Sequence, residues 1–338
     1  MRAGVLIAAG LALGLSMGAP VQAQYTTLAP ASEIKDLPIL GLAQVSVKVS
    51  DLAKARAFYG EVLGFAEAFT LKDKAGKVGS VFFKVNDEQY IELLPVLPVG
   101  QVELVRQARL VVQASDLKTL HTIYETQGLS PGPIAMGADG NMIFRIMAPN
   151  GTALDFMEYA PTGRQMRLKG KLLGQNRIST RLLHAGTMVR DEPTKAFFRK
   201  LGWGRLLPGP RGDYIETPAS DRNLETKNPP LDPENPVTLP QYTREVYGAV
   251  YHFALEINDM HAAREALKQR GGFDDVRLRT AVGNNRRWLI HLFDGDGSRV
   301  ELMSRDTVPT EIPAFSVMPP GPPAPPILAT QRGVYPWP

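Results

Sequence analysis

The stretch Gln44-Val-Ser-Val-Lys-Val-Ser-Asp51 decides the architecture, because its pattern is written four times in the chain. The other copies are Arg109-Leu-Val-Val-Gln-Ala-Ser-Asp116, His184-Ala-Gly-Thr-Met-Val-Arg-Asp191 and His252-Phe-Ala-Leu-Glu-Ile-Asn-Asp259. In each, a polar residue opens an apolar strand, and an Asp seven positions on opens a helix. Self-similarity of this kind points to one supersecondary unit used repeatedly. It also shows which polar residues stand in equivalent places, and two of the four are histidines.

Each copy closes alike, in a hydrophobic strand carrying a carboxylate: Glu92, Asp155, Glu225 and Glu301. Opening polar residue and closing carboxylate lie 48, 46, 41 and 49 residues apart, so the third copy is short. In the first copy Asp51 is a good N-cap, and Ala55, Phe58, Tyr59, Val62 and Leu63 recur at helical spacing before Gly64 ends the helix. Residues 65–70, 78–85 and 89–94 then read as strands separated by Lys, Gly, Asn and Asp turns. One strand–helix–three-strand unit is too small to bury a good core, so two must join their sheets. Sequential pairing is expected because connections are short. Pairing the first unit with the fourth would instead assemble Gln44, Glu92, His252 and Glu301.

The segment from Val45 to Phe65 resembles the opening of a vicinal oxygen chelate module, and Asp294-Gly-Asp-Gly-Ser-Arg-Val-Glu301-Leu resembles its closing strand. That superfamily includes glyoxalase I, extradiol dioxygenases, fosfomycin- and bleomycin-resistance proteins and methylmalonyl-CoA epimerase. The resemblance implies an α+β fold of four tandem βαβββ modules paired into two glyoxalase-like half-barrel domains, 40–160 and 182–305, with a linker over 161–181. It is specific for fold and weak for reaction, since one fold hosts many chemistries.

Composition suits a folded, two-domain body: 338 residues, 44% hydrophobic and 21% charged. Net charge is small (+4), and basic residues are scattered except between Arg164 and Arg181. No basic stripe interleaved with aromatics is present, so a nucleic-acid partner is not expected. With no Cys, disulfides and thiolate chemistry are excluded. Residues 1–23 read as a Sec-type signal peptide: a basic start, an apolar run over 3–15 and a small-residue cleavage site at Val21-Gln-Ala23. The chain is therefore expected in the periplasm or outside the cell, without stable membrane association after cleavage, as a monomer or homodimer acting on a small molecule. A proline-rich crossing over 228–248 is long enough to lie over a cavity mouth. The tail over 306–338 is proline-rich and is expected to be extended rather than packed.

In the C-terminal half the repeated slots hold His184, Glu225, His252 and Glu301. Two imidazoles and two carboxylates form a five- or six-coordinate site with open positions, for one divalent ion: Zn, Ni, Mn or Fe(II). Glu216 is the alternative to Glu225, because Tyr214-Ile-Glu216 mimics Tyr90-Ile-Glu92. His121 and His261 fall on helices and read as solvated surface. The N-terminal slots hold Gln44, Glu92, Arg109 and Asp155. An arginine is a permanent cation and no ligand, so Arg109 is expected to pair with Glu92 or Asp155 and leave this half metal-free. His291, ten residues before Glu301, occupies the slot that resembles the one holding an acid/base tyrosine in extradiol dioxygenases, and an imidazole there can move protons at neutral pH. Arg286 and Arg287, just before that strand, are candidates to clamp an anionic substrate.

Three functions follow. A lyase or isomerase would use four protein ligands and Lewis-acid chemistry. A ring-cleaving dioxygenase would use Fe(II) on His184, His252 and Glu301 alone. A non-catalytic protein would sequester a small molecule in either cleft. No nucleophilic triad, phosphate loop or Rossmann glycine pattern is present.

Overall fold

A computed structural model describes residues 37–95, 107–188, 192–203, 206–209, 212–216, 223–227, 250–283 and 285–319, with 206–251 described as backbone only. The signal segment, Asp191, the crossing over 228–248 and the chain beyond 319 lie outside the described residues.

The first eight strands are β1 (Ile39–Val49), β2 (Ala66–Lys72), β3 (Val78–Lys84), β4 (Tyr90–Pro95), β5 (Gln107–Ala114), β6 (Ala135–Met136), β7 (Met142–Met147) and β8 (Ala153–Glu158). They form one curled sheet in the order β2-β3-β4-β1-β5-β8-β7-β6. The second eight are β9 (Leu182–Met188), β10 (Leu206–Gly209), β11 (Gly212–Glu216), β12 (Asn223–Lys227), β13 (Val250–Ile257), β14 (Ala281–Val282), β15 (Arg287–Phe293) and β16 (Arg299–Thr307). Their order, β10-β11-β12-β9-β13-β16-β15-β14, is the same topology. Each sheet is two sequential modules joined by their opening strands, β1 against β5 and β9 against β13, both antiparallel. Sequential pairing therefore holds, and Gln44 and Glu92 do not share a sheet with His252 and Glu301.

The Asp caps start the helices as expected. Asp51 accepts from the Lys54 amide at α1 (Leu52–Arg56), which runs on into a π-helical segment, Ala57–Val62. Asp116 caps α2 (Leu117–Thr126). The short α3 (Arg164–Arg167) and α4 (Glu192–Lys200) follow, and Asp259 caps α5 (Met260–Gly271).

Strand alternation then sorts the faces. Val45, Val47, Ile91, Leu93, Leu110, Val112, Leu154 and Phe156 point to the helix-covered side, as do Phe253, Leu255, Val300 and Leu302 of the second sheet. All belong to one buried cluster that runs through both halves. The intervening residues point to the other, concave side and include Gln44, Glu92, Asp155, His184, His252 and Glu301. The halves are also tied by polar bonds. Trp203 Nε1 donates to Tyr124 Oη at 2.8 Å, and Gln89 Nε2 donates to the Leu182 carbonyl at 2.9 Å. Gly64 ends the first helix at φ +77°, and a Cβ there would lie 2.2 Å from the Asn176 carbonyl oxygen, so glycine admits the chain that joins the halves.

Chain outside the sheets is packed too, against expectation in the case of the tail. The linker is built in: the Gln165 side chain is fully buried, bonded to Asn141 and Asp139, and the buried Lys84 ammonium donates to the carbonyls of Leu168 and Lys171. The start of the tail is packed as well. The Phe315 and Met318 amides bond to the Val282 and Thr280 carbonyls, extending the edge beside β14, because that short strand leaves its outer backbone groups unpaired. Likewise, His121 is half-buried, with Nε2 2.9 Å from the Gly132 carbonyl and its ring edge-on to Phe144, because its face of α2 meets β7.

Asp294, in the turn before β16, lies at the contact between the first and fourth modules, where Ser50 also bonds Asp296. Asp294 is 7% exposed, accepts from the amides of Asp296 and Ser298, and takes the Tyr59 hydroxyl at 3.1 Å. Burial pushes its carboxyl up to about 6, against the opposing hydrogen bonds from Ser298 and Tyr59. The folded state therefore holds this proton more tightly than the unfolded chain. Its contribution to stability falls as pH rises from about 4 to about 6, by about 2–3 kcal/mol in all. Denaturant unfolding of the Asp294→Asn variant should gain on the wild type across that window; a stability difference independent of pH would contradict the assignment.

Candidate metal centre

On the concave side of the second sheet, β9, β13 and β16 lie side by side and each presents one slot residue. His184 and His252 bring their Nε2 atoms to 3.0 Å, with the rings edge to face at 89°. Glu301 Oε2 lies 3.5 Å from each Nε2. All three are buried, and their ligand atoms lie within 4.8 Å of one another, forming the cluster fit for a metal ion among the described residues. Donor atoms bound about 2.0–2.1 Å from one ion stand about 3.0 Å apart at right angles and about 3.4 Å apart in a tetrahedron. The triangle has that size, so these residues fit a divalent cation. Room for it depends on Gly186, which faces His252 across the β9–β13 pair. A Cβ at that position would come within 2.4 Å of the His252 ring, so any side chain would displace the imidazole.

His291 reaches the same carboxylate from β15, its Nε2 2.9 Å from Glu301 Oε1, with 40% of its side chain exposed. Burial raises the energy of the Glu301 charge. The charges of His252 and Arg299 and hydrogen bonds from His184 and His291 outweigh it and hold the carboxyl well below the usual range. Glu301 is thus an anion throughout the physiological range.

Glu225 pairs with Gly186 across β12 and β9, the register at which Glu92 pairs with Ser46, Asp155 with Val111 and Glu301 with Ala254. Glu216 pairs with Asn223, one strand further out. The backbone thus puts Glu225 in the closing slot, while the side chains of both glutamates lie outside the described structure. Arg286 and Arg287 are not brought into the cluster. Arg286 donates to the carbonyls of Val308 and Pro309, and Arg287 to those of Ser304 and Arg305, because the strand start they occupy borders the end of β16. Both guanidiniums are thus tied to backbone carbonyls at and beyond the end of β16.

The first sheet resolves the same slots differently. Arg109 Nη2 donates to both Glu92 oxygens at 2.8 and 2.9 Å, and Nη1 to Asp155 at 3.1 Å. Gln44 Nε2 donates to Glu92 at 2.8 Å, and the Ser46 hydroxyl bonds the same carboxylate. Arg145 closes a fork on Asp155 at 2.6 and 2.8 Å. Two buried carboxylates meet two guanidiniums, the expected ion pair extended to both acids. Ser46, Arg145 and Arg299 are not distinguished by residue type alone. Spacing finds them: Arg145 precedes Asp155 by ten residues as His291 precedes Glu301, and Ser46 and Arg299 stand two residues from a slot on the same face.

Residues 41–103 match the model of the Glyoxalase/Bleomycin resistance protein/Dioxygenase superfamily. The fold is similar to that of the Mn(II)-bound glyoxalase from Novosphingobium aromaticivorans, at 16% identity and TM-score 0.56, over 85% of this chain and 89% of that one. It is similar to an extradiol ring-cleaving dioxygenase from B. fuscum, at 16% identity and TM-score 0.57, over 84% and 77% of the two chains. A catechol 2,3-dioxygenase aligns at 14% identity and TM-score 0.57, over 84% and 96%. No curated protein sequence matches the chain. At these identities the likeness is one of fold.

Removing Arg109 would leave Glu92 and Asp155 with less than their compensating charge in a buried site. Arg109→Met should lower unfolding free energy by about 2–4 kcal/mol in urea titration, an uncompensated buried charge being the cost. A loss below about 1 kcal/mol, the worth of an exposed pair, would show that solvent screens the cluster.

Proposed function

We propose that this chain, whose residues 41–103 carry a domain of the glyoxalase, bleomycin-resistance and dioxygenase superfamily, is a divalent-metal enzyme of lyase or isomerase type acting on a small substrate with two neighbouring oxygens. The observation that carries it is the convergence of His184, His252 and Glu301, with His291 bonded to the same carboxylate and partly exposed. A divalent ion held there supplies Lewis acidity toward substrate oxygens. Glu301 remains ionised and keeps the imidazoles turned toward it. His291 is placed to accept a proton from a carbon beside a carbonyl and return it at the neighbouring atom, a transfer that consumes no oxidant or reductant. The register of Glu225 supports a fourth carboxylate ligand, which favours proton transfer over oxygen chemistry. Zn, Ni or Mn suits this reading. The first half is proposed to be structural and metal-free, its slot residues being engaged with one another.

A second reading is a ring-cleaving dioxygenase using Fe(II). The described donor set of two imidazoles and one carboxylate supports it, being the arrangement that leaves three positions open. Sequestration of a small molecule without turnover draws less support, since a passive binder has no use for His291 beside the cluster.

The metal-loaded protein, offered α-hydroxy and α-keto carbonyl compounds in deuterated water, should place deuterium at the carbon next to the carbonyl without oxygen uptake. His291→Ala should slow this by about 10²–10⁴-fold, the usual worth of a general base. Gly186→Ala should fold and lose the metal. Oxygen consumption with catechols would decide for the second reading, and tight binding with no turnover of either class for sequestration. Export is proposed from residues 1–23: sequencing the protein from the periplasmic or extracellular fraction should give an N-terminus at Gln24. Recovery of the intact N-terminus in the cytoplasm would refute it.

A further inference from the structure

Arg299 is buried, with 4% of its side chain exposed, and lies two residues before Glu301 on β16. It pairs with His252 in the β13–β16 register and shares the concave face with it. Its Nη2 donates to Glu301 Oε1 and lies 2.8 Å from His291 Nε2. The two oxygens of Glu301 are therefore held by different groups. Oε1 faces Arg299 and His291, while Oε2 faces the two imidazoles at 3.5 Å each.

The first sheet shows what happens when the cation stands elsewhere. There the position equivalent to Arg299 is Ala153, which pairs with Arg109 as Arg299 pairs with His252. The guanidinium sits in the ligand slot itself and takes both oxygens of Glu92. Moving the arginine across to the closing strand frees the slot for an imidazole and limits the cation to one oxygen of the carboxylate.

We infer that Arg299 is a positioning residue that commits Glu301 to ligation through Oε2 alone. A ligating carboxylate is free to bind through one oxygen or two, and partners in the outer shell set the orientation. A charge-assisted bond to Oε1 is strong enough to hold that oxygen back. One-oxygen ligation keeps a coordination position open for the substrate that two-oxygen ligation would occupy. This inference rests on the metal reading above and adds how the site stays open.

The test uses full-length protein titrated with Mn(II), read by equilibrium stoichiometry and by the infrared difference spectrum between loaded and metal-free forms. Bands lost in Glu301→Gln identify this carboxylate. Wild type should bind about one Mn(II) and show the wide separation of carboxylate stretches that marks one-oxygen ligation. Arg299→Gln and the apolar Arg299→Met should keep the stoichiometry and narrow that separation, and Arg299→Lys, which retains a cationic donor, should restore it. Circular dichroism identifies the folded variants, and either the Gln or the Met variant suffices. A folded, Mn(II)-loaded Arg299→Gln or Arg299→Met protein with the wild-type separation would overturn the inference while leaving the metal reading intact. A wild type that binds no Mn(II) at His184 and His252 would overturn both.

Discussion

A carboxylate that enters a protein interior must meet positive charge, and that constraint shapes both concave faces. The closing strands bring Glu92, Asp155 and Glu301 to 0–2% exposure. Uncompensated, such charges cost several kcal/mol each. In the first sheet Arg109 and Arg145 meet them with guanidiniums fixed in place. In the second, two imidazoles, a third from β15 and the guanidinium of Arg299 gather round one acid. Fixed cations saturate their acids and make a structural cluster. Imidazoles offer lone pairs as well as protons, and so make a cluster that could hold a cation.

The two faces divide labour along the same strands. Alternation sends every second residue to the helix side, where one apolar cluster runs through both halves and supplies the stability. The residues between are released for chemistry. That arrangement explains why the halves can share a topology while their slots differ: replacing His252 by an arginine in the equivalent place, as at Arg109, changes one face without disturbing the other.

Much of this was legible in the sequence because the pattern repeats. The capping Asp residues, the closing carboxylates and the convergence of His184, His252 and Glu301 all follow from aligning the copies, as does the pairing of Arg109 with Glu92 and Asp155. Residues without a repeat partner were harder to read. Arg299 stands opposite an alanine in the second copy, so only its place two residues before Glu301 on the same face marks it. Which backbone carbonyls Arg286 and Arg287 meet is set by tertiary structure and carries no sequence signal. Composition suggested a loose tail, yet the segment to Met318 adds to an edge left open by a two-residue strand, a need set by tertiary structure.

The proposed centre is one ion bound where the imidazoles meet Glu301. Anomalous diffraction from crystals grown with Mn(II) tests that most directly. The predicted map has one strong peak per chain between His184, His252 and Glu301, and none beside Arg109. A peak in the first sheet, or none within bonding reach of both imidazoles, would contradict it.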